Sequence, residues 1–191
     1  LFRSMNDIVI LDYGYGNLFS IKSALNELGI AALCTKDYDK IINAKLIILP
    51  GVGSFYQAMK AIEDLHLDIA IKQALKNKSK ILGICLGYQM LFEESEEFGI
   101  NKGLGLIKGK VISLNTIKKL GYRIPNVGWR NILINKNNNS LAESFNGKMV
   151  YFVHSFVPQA VKENEVSTFI KFGDTKIHSS IHTKNIVGFQ F

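Results

Sequence analysis

The 191-residue chain contains only three prolines, two cysteines, one tryptophan and three arginines, and each scarcity removes a class of protein. Two cysteines, Cys34 and Cys85, cannot make a disulfide framework in a chain of this size. No export signal accompanies them, so both thiols are expected reduced and the protein cytoplasmic. No apolar run approaches the ~20 residues of a membrane span. The opening "LFRSMNDIVILDYG" reaches a strand-like run without the basic, apolar and small-residue segments of a signal peptide. Leu1 to Ser4 precede a natural-looking start at Met5 and read as an expression remnant. The shortage of arginine bears on nucleic acid. The net charge is +7, yet 20 of the 23 basic residues are lysines scattered from Lys22 to Lys184, which reads as a solvated surface rather than a nucleic-acid stripe. No cluster of His, Cys and carboxylate has ligand spacing, so neither a metal nor a bound organic cofactor is expected. What is present is a 47% apolar content, no repeat and no clear linker, which suits one domain over residues 5–191.

The first half alternates short apolar runs with helical periodicity. "DIVILD" (Asp7 to Asp12) leads through "YGYGN" into "LFSIKSALNELG", where Leu18, Ile21, Leu25 and Leu28 recur at helical spacing and Gly29 makes a stop. "KLIILPGVG" is an apolar run broken by Pro-Gly. "FYQAMKAIEDLHLDIAIKQALKNK" is helical in pattern, and "KILGIC" reads as a third buried strand. This alternation predicts parallel strands joined by helical crossovers, an α/β fold. From about Gly105 the segments shorten to "LGLIKGKVISL", "WRNILIN", "MVYFVHSFVP", "VSTFIKF", "KIHSSIHT" and "NIVGFQF". Such strands are expected to pair antiparallel, in a mixed sheet or a second small sheet. "NKNNNS" (Asn135 to Ser140) reads as a polar loop tip.

The stretch "GICLG" (Gly83 to Gly87) places a cysteine between glycines at a strand-to-helix junction. This is the cysteine counterpart of a nucleophile elbow. The alternative is a small buried residue packing strand on helix. As a nucleophile, Cys85 would sit at a helix N-terminus, which predicts a thiol pKa below that of free cysteine, with the Leu86 N–H placed for an oxyanion. "LPGVGSF" (Leu49 to Phe55) ends another expected parallel strand, so it and Cys85 are expected to face one site at the strands' carboxyl edge. Gly51 and Gly53 permit a backbone that turns an N–H inward; a plain glycine turn is the alternative. "DYGYGN" lacks the third glycine of a dinucleotide fingerprint, which excludes that cofactor.

Together "LPGVGSF", "ILGICLGYQMLFE", "IPNVGW" and "YFVHSF", in this order, resemble the class I (triad) glutamine amidotransferases, and among them the glutaminase subunits of imidazole glycerol phosphate synthases. The resemblance runs from Ile8 to Phe191. It implies a flavodoxin-like mixed sheet flanked by helices and hydrolysis of L-glutamine. The ammonia passes to a (β/α)8-barrel cyclase/synthase partner that makes imidazole glycerol phosphate and an aminoimidazole carboxamide ribotide in histidine biosynthesis. It implies Cys85 as the nucleophile forming a glutamyl thioester and Gln89 as a glutamine contact. The loop Pro50, Gly51, Val52 and Gly53 would donate an oxyanion N–H once the partner is engaged. His154, Ser155 and Phe156 would receive the amino-acid end of glutamine, and Asn126, Trp129 and Arg130 would lie at the partner surface.

Two departures accompany the resemblance. The family usually carries a histidine and an asparagine where this chain has Asn126 and Arg130, which bears on the partner's identity. The family's triad histidine and glutamate sit in a His-Pro-Glu segment directly after a strand ending like "VGFQF", a position that falls beyond Phe191. None of His66, His154, His178 and His182 is followed two residues later by a carboxylate. His66 falls in a helix-like surface pattern, and strand alternation puts His178 and His182 on one face. The expectation is that these 191 residues alone have little glutaminase activity. Two other readings stand beside the first: a paralogous subunit feeding ammonia to a surface-sugar amidotransferase, and a non-catalytic binding protein with a degenerate site.

Overall fold

The computed structural model describes residues 7–117, 123–137, 142–145 and 147–191. Leu1 to Ser4, Met5 and part of the Asn135 to Ser140 loop lie outside the described residues. The three apolar runs become the parallel strands β1 (Ile8–Leu11), β3 (Leu46–Leu49) and β4 (Lys80–Ile84), and a short edge strand the sequence reading missed, β2 (Leu33–Thr35), joins them. They are joined by α1 (Leu18–Glu27), α2 (Tyr38–Ile42), α3 (Phe55–Asp64) and α4 (Leu67–Lys76). β1 and β3 are apolar throughout because both sheet faces are covered there. Ile8, Ile10 and Ile48 pack toward Leu18, Ile21 and Leu25 of α1. Val9, Leu11, Ile47 and Leu49 pack on the other side against Phe55, Ala58, Met59 and Ile62 of α3 and Ala70, Ile71 and Ala74 of α4. Asn17 caps α1 by accepting from the Ser20 N–H, and Gly29 follows its end at φ 70°.

Two local expectations change. The long helical pattern after Phe55 breaks in two at His66, which takes a left-handed conformation (φ 54°) at the start of α4. The helix after Cys85, α5 (Leu86–Met90), has five residues before the chain turns into β5 (Phe92–Ser95).

The second half supplies β6 (Asn101–Lys102), β7 (Ile107–Ser113), α6 (Leu114–Ile117), β8 (Asn126–Asn131), β9 (Leu133–Ile134), β10 (Met149–His154), β11 (Phe156–Ala160), β12 (Val166–Phe172), β13 (Thr175–His182) and β14 (Ile186–Phe189). The main sheet has eight strands in the order β2-β1-β3-β4-β14-β13-β12-β9. β14 pairs parallel with β4, in register Gly188 to Gly83 and Phe189 to Ile84, while β13, β12 and β9 continue antiparallel. So the last strand joins the parallel half, not an antiparallel appendix. A four-stranded sheet (β11-β7-β5-β6) and a ribbon (β10-β8) complete the fold.

β13 also corrects the histidine reading. Its pairing with β12 skips from His178–Phe169 to Ser180–Thr168, leaving Ser179 as the extra residue of a bulge. An extra residue inverts the alternation, so Ile177 and Ile181 enter different cores and His178 and His182 fall on opposite faces.

Candidate active site

Cys85 follows β4 directly and is half-buried at φ 55° and ψ −113°. A non-glycine residue there stores strain of about 1–3 kcal/mol, which persists only where the surroundings impose it. The surroundings are explicit. The Cys85 N–H donates to the Phe189 carbonyl at 2.8 Å, so β14 holds the last residue of the turn. On the far side Gly87 lies so close to the Leu49 carbonyl that a Cβ would collide with it, and a Cβ on Gly51 would come within 2.5 Å of the Gly87 nitrogen. The glycines after the cysteine and in the Pro-Gly loop are therefore a matched pair that lets two strand ends touch.

The thiol differs from expectation. Burial pushes the Cys85 pKa up, against the Leu86 N–H hydrogen-bonded to the sulfur, which pulls it down. A five-residue helix aligns few peptide dipoles, and desolvation of the thiolate outweighs them. Cys34, the other free thiol, lies on β2.

Cys85 opens into a cavity of about 360 Å3. Gly53, Leu86, Gln89, His154, Ser155 and Phe156 line it, so the Pro-Gly loop, the elbow and the "VHSF" segment meet as expected. Sequence reading missed five further residues of the wall: Glu97, Phe98, Pro125, Val153 and Gln190. Glu97 accepts from the Phe55 N–H at 2.6 Å, capping α3 where Ser54 makes no side-chain bond. Its carboxylate gives the cavity an anionic wall suited to an ammonium group. Gln190 carried one readable signal, a polar residue closing an otherwise apolar strand.

The Val52 N–H does not point at the sulfur. It donates to the Tyr15 carbonyl at 3.2 Å, and the Tyr13 hydroxyl donates to the Pro50 carbonyl at 2.5 Å. The "DYGYGN" turn thus grips the loop from outside, and Gly53 completes it at φ 90°.

His154 is buried and both its ring nitrogens are engaged. Nδ1 faces the Phe156 carbonyl at 2.8 Å and Nε2 faces Asn126 Nδ2 at 2.9 Å. A carbonyl accepts only, so Nδ1 carries the proton and Nε2 accepts from Asn126. Burial and the nearby Arg130 charge lower the His154 pKa to about 4 despite the Phe156 hydrogen bond, so the ring is neutral at pH 7. It cannot serve Cys85 as a base in this arrangement. His66, His178 and His182 do not line the cavity.

Asn126 departs from the expected surface role. Its side chain is buried, with Arg130 Nε donating to its Oδ1 at 3.0 Å. It is a bridge between Arg130 and His154 rather than a contact for a partner. Trp129 is 63% exposed and packs edge-on against Tyr151 at 5.8 Å between ring centres. With Val127, Met149 and Val153 it forms an apolar strip on the outer face of the β8–β10 ribbon.

Residues 9–191 match the family described as "Glutamine amidotransferase class-I". The chain belongs to the class I glutamine amidotransferases, and its mixed sheet flanked by helices is the fold of that class. More particularly, it is 41% identical over 184 residues to "Imidazole glycerol phosphate synthase subunit HisH" of Aquifex aeolicus (strain VF5), covering 96% of this chain and 86% of that protein. It is 39% identical over 186 residues to "Imidazole glycerol phosphate synthase subunit HisH 2" of Vibrio vulnificus (strain YJ016), covering 96% and 85%. A solved structure described as "Crystal structure of glutamine amidotransferase" shares the fold with a TM-score of 0.74 at 19% identity, over 97% of this chain and 89% of the other.

Proposed function

We propose that this chain is the glutaminase subunit of an imidazole glycerol phosphate synthase, hydrolysing L-glutamine to glutamate and ammonia and passing the ammonia to a (β/α)8-barrel cyclase partner. The observation that carries the reading is Cys85, held at φ 55° with the Leu86 N–H on its sulfur and a cavity before it. The Cys85 thiolate attacks the carboxamide carbon, and the oxyanion forms beside the Leu86 N–H. Collapse breaks the C–N bond, the leaving nitrogen takes a proton, and water then hydrolyses the thioester to glutamate. Gln89, Ser155 and the Phe156 segment hold the amino-acid end of glutamine, with the Glu97 carboxylate facing its ammonium group. The resemblance implies a histidine as the proton carrier, and His154, neutral with both ring nitrogens engaged, does not fill that role.

The Val52 N–H, committed to Tyr15, becomes the second oxyanion donor only when the loop turns over. The resting subunit is therefore slow until its partner is engaged. The apolar strip around Trp129 and Tyr151 is the surface the partner covers. A second reading, in which the ammonia goes to a surface-sugar amidotransferase, rests on Asn126 and Arg130 standing where the family usually carries a histidine and an asparagine; here they form a hydrogen-bonded unit beneath that strip.

The test is to purify the full-length chain with each candidate partner and measure ammonia release from glutamine. The cyclase should stimulate it, and Cys85→Ala should abolish glutamine-dependent synthesis while leaving synthesis from ammonium salts intact. Loss of both would make Cys85 structural, and stimulation only by another synthase would select the second reading.

A further inference from the structure

Gln190 is buried at 1% exposure, directly after β14, and the register of β14 on β4 sets it beside Cys85. Its orientation follows from one backbone atom. The Phe156 carbonyl can only accept, and it receives the Gln89 side-chain N–H at 3.2 Å as well as the His154 Nδ1–H at 2.8 Å. Gln89 therefore turns Nε2 inward, and the same nitrogen donates to Gln190 Oε1 at 3.0 Å. That fixes the Gln190 amide in turn, leaving its Nε2 to face the Cys85 sulfur at 4.0 Å. Because both Gln89 N–H groups are spent, Gln89 can present only its Oε1 acceptor to a substrate.

We infer that Gln190 is a positioning residue of the glutaminase reaction. Its carbonyl fixes the Gln89 amide with the acceptor toward the glutamine site, and its N–H donates to the Cys85 thiolate. The inference deepens the function proposed above and rests on it for the Gln89 half, while the thiolate half stands on geometry alone. The ionisable groups around the sulfur leave that task open. Tyr13 spends its hydroxyl on the Pro50 carbonyl and burial pushes its pKa up further. His154 is neutral with both nitrogens engaged, and Glu97 is bound to the Phe55 N–H. None of the three delivers a proton donor to the sulfur. A thiolate half-buried in this wall has the Leu86 N–H and the Gln190 amide as its donors.

The test is the pH profile of Cys85 alkylation by iodoacetamide, followed on the Cys85 peptide by mass spectrometry so that Cys34 does not interfere. It needs neither glutamine nor a partner. Gln190→Met keeps length and volume but removes both donor and acceptor, and its inflection should rise by about one pH unit, slowing alkylation at pH 7 roughly tenfold. Gln190→Asn keeps the amide but falls short of the sulfur, and should shift in the same direction; it serves if the methionine variant has no cooperative melting transition. In the full-length chain with its partner, Gln190→Met should also raise the KM for glutamine. An unchanged inflection in the folded variants overturns the inference even where wild-type protein hydrolyses glutamine. A shifted inflection in a protein with no glutaminase activity upholds the thiolate half and overturns the functional reading instead.

Discussion

The sharp turn at Cys85, which makes it the candidate nucleophile, was readable from glycine spacing, because a strand-to-helix turn that lifts a side chain off the sheet edge tolerates only small neighbours. The state of its thiol was not readable, since burial and the brevity of α5 are properties of the assembled site. The Gln89–Gln190 pair was hidden for a similar reason: its members lie 101 positions apart and meet only through the β4–β14 register. Two predictions belong to this scale. The Tyr13 hydroxyl holds the Pro50 carbonyl, so Tyr13→Phe loosens the loop by about 1 kcal/mol and should raise partner-free ammonia release by the full-length chain roughly fivefold. An unchanged basal rate would remove Tyr13 from the grip. His154 is neutral and buried in the fold, with its pKa lowered from 6.5 to about 4. The unfolded chain therefore binds the extra proton first. Stability is full above pH 6.5, falls as pH drops toward about 4, and loses about 3 kcal/mol across that window. Urea midpoints measured across it should show a shallower slope for His154→Gln.

At the scale of elements, the inner parallel strands β1, β3 and β4 were legible because strands covered on both faces are apolar without alternation, whereas the three-residue edge strand β2 was not. α1 was bounded by its own cap and stop, Asn17 and Gly29. Three further features escaped. Periodicity continues across His66, so the break between α3 and α4 left no mark in the pattern. A one-residue bulge at Ser179 inverts the face of every later residue in β13 without altering composition. β14 joined the parallel sheet because its partner, β4, lies about a hundred residues back, where local sequence cannot choose between neighbours. Gly87 is the joint between elements: a methyl there meets the Leu49 carbonyl, which is ladder backbone that cannot turn aside. Gly87→Ala should cost about 3 kcal/mol, read as a lowered urea midpoint. On the β8–β10 ribbon, Trp129→Ala removes an exposed ring packed only along one edge by Tyr151, so the melting temperature should hold. Partner affinity should fall by about 2 kcal/mol, roughly thirtyfold in Kd, by calorimetry on the full-length pair.

The whole molecule brings a strained thiol, a gripped Pro-Gly loop and Val153 of the apolar ribbon to one cavity. The two larger cores meet across shared strands: Val166 of β12 and Ile181 of β13 enter one, and Ile170 and Ile177 of the same strands enter the other. Both cores are therefore built on the same two strands. Among the described residues no helix is long and apolar enough to cross a membrane. The central claim, that Cys85 attacks glutamine, is tested most directly by treating the full-length chain, with its partner present, with a diazoketone analogue of glutamine and mapping the adduct by peptide mass spectrometry. The account predicts stoichiometric labelling of Cys85, blocked by excess glutamine and accompanied by loss of ammonia release. Labelling of Cys34 instead, or ammonia release that survives full modification of Cys85, would contradict it.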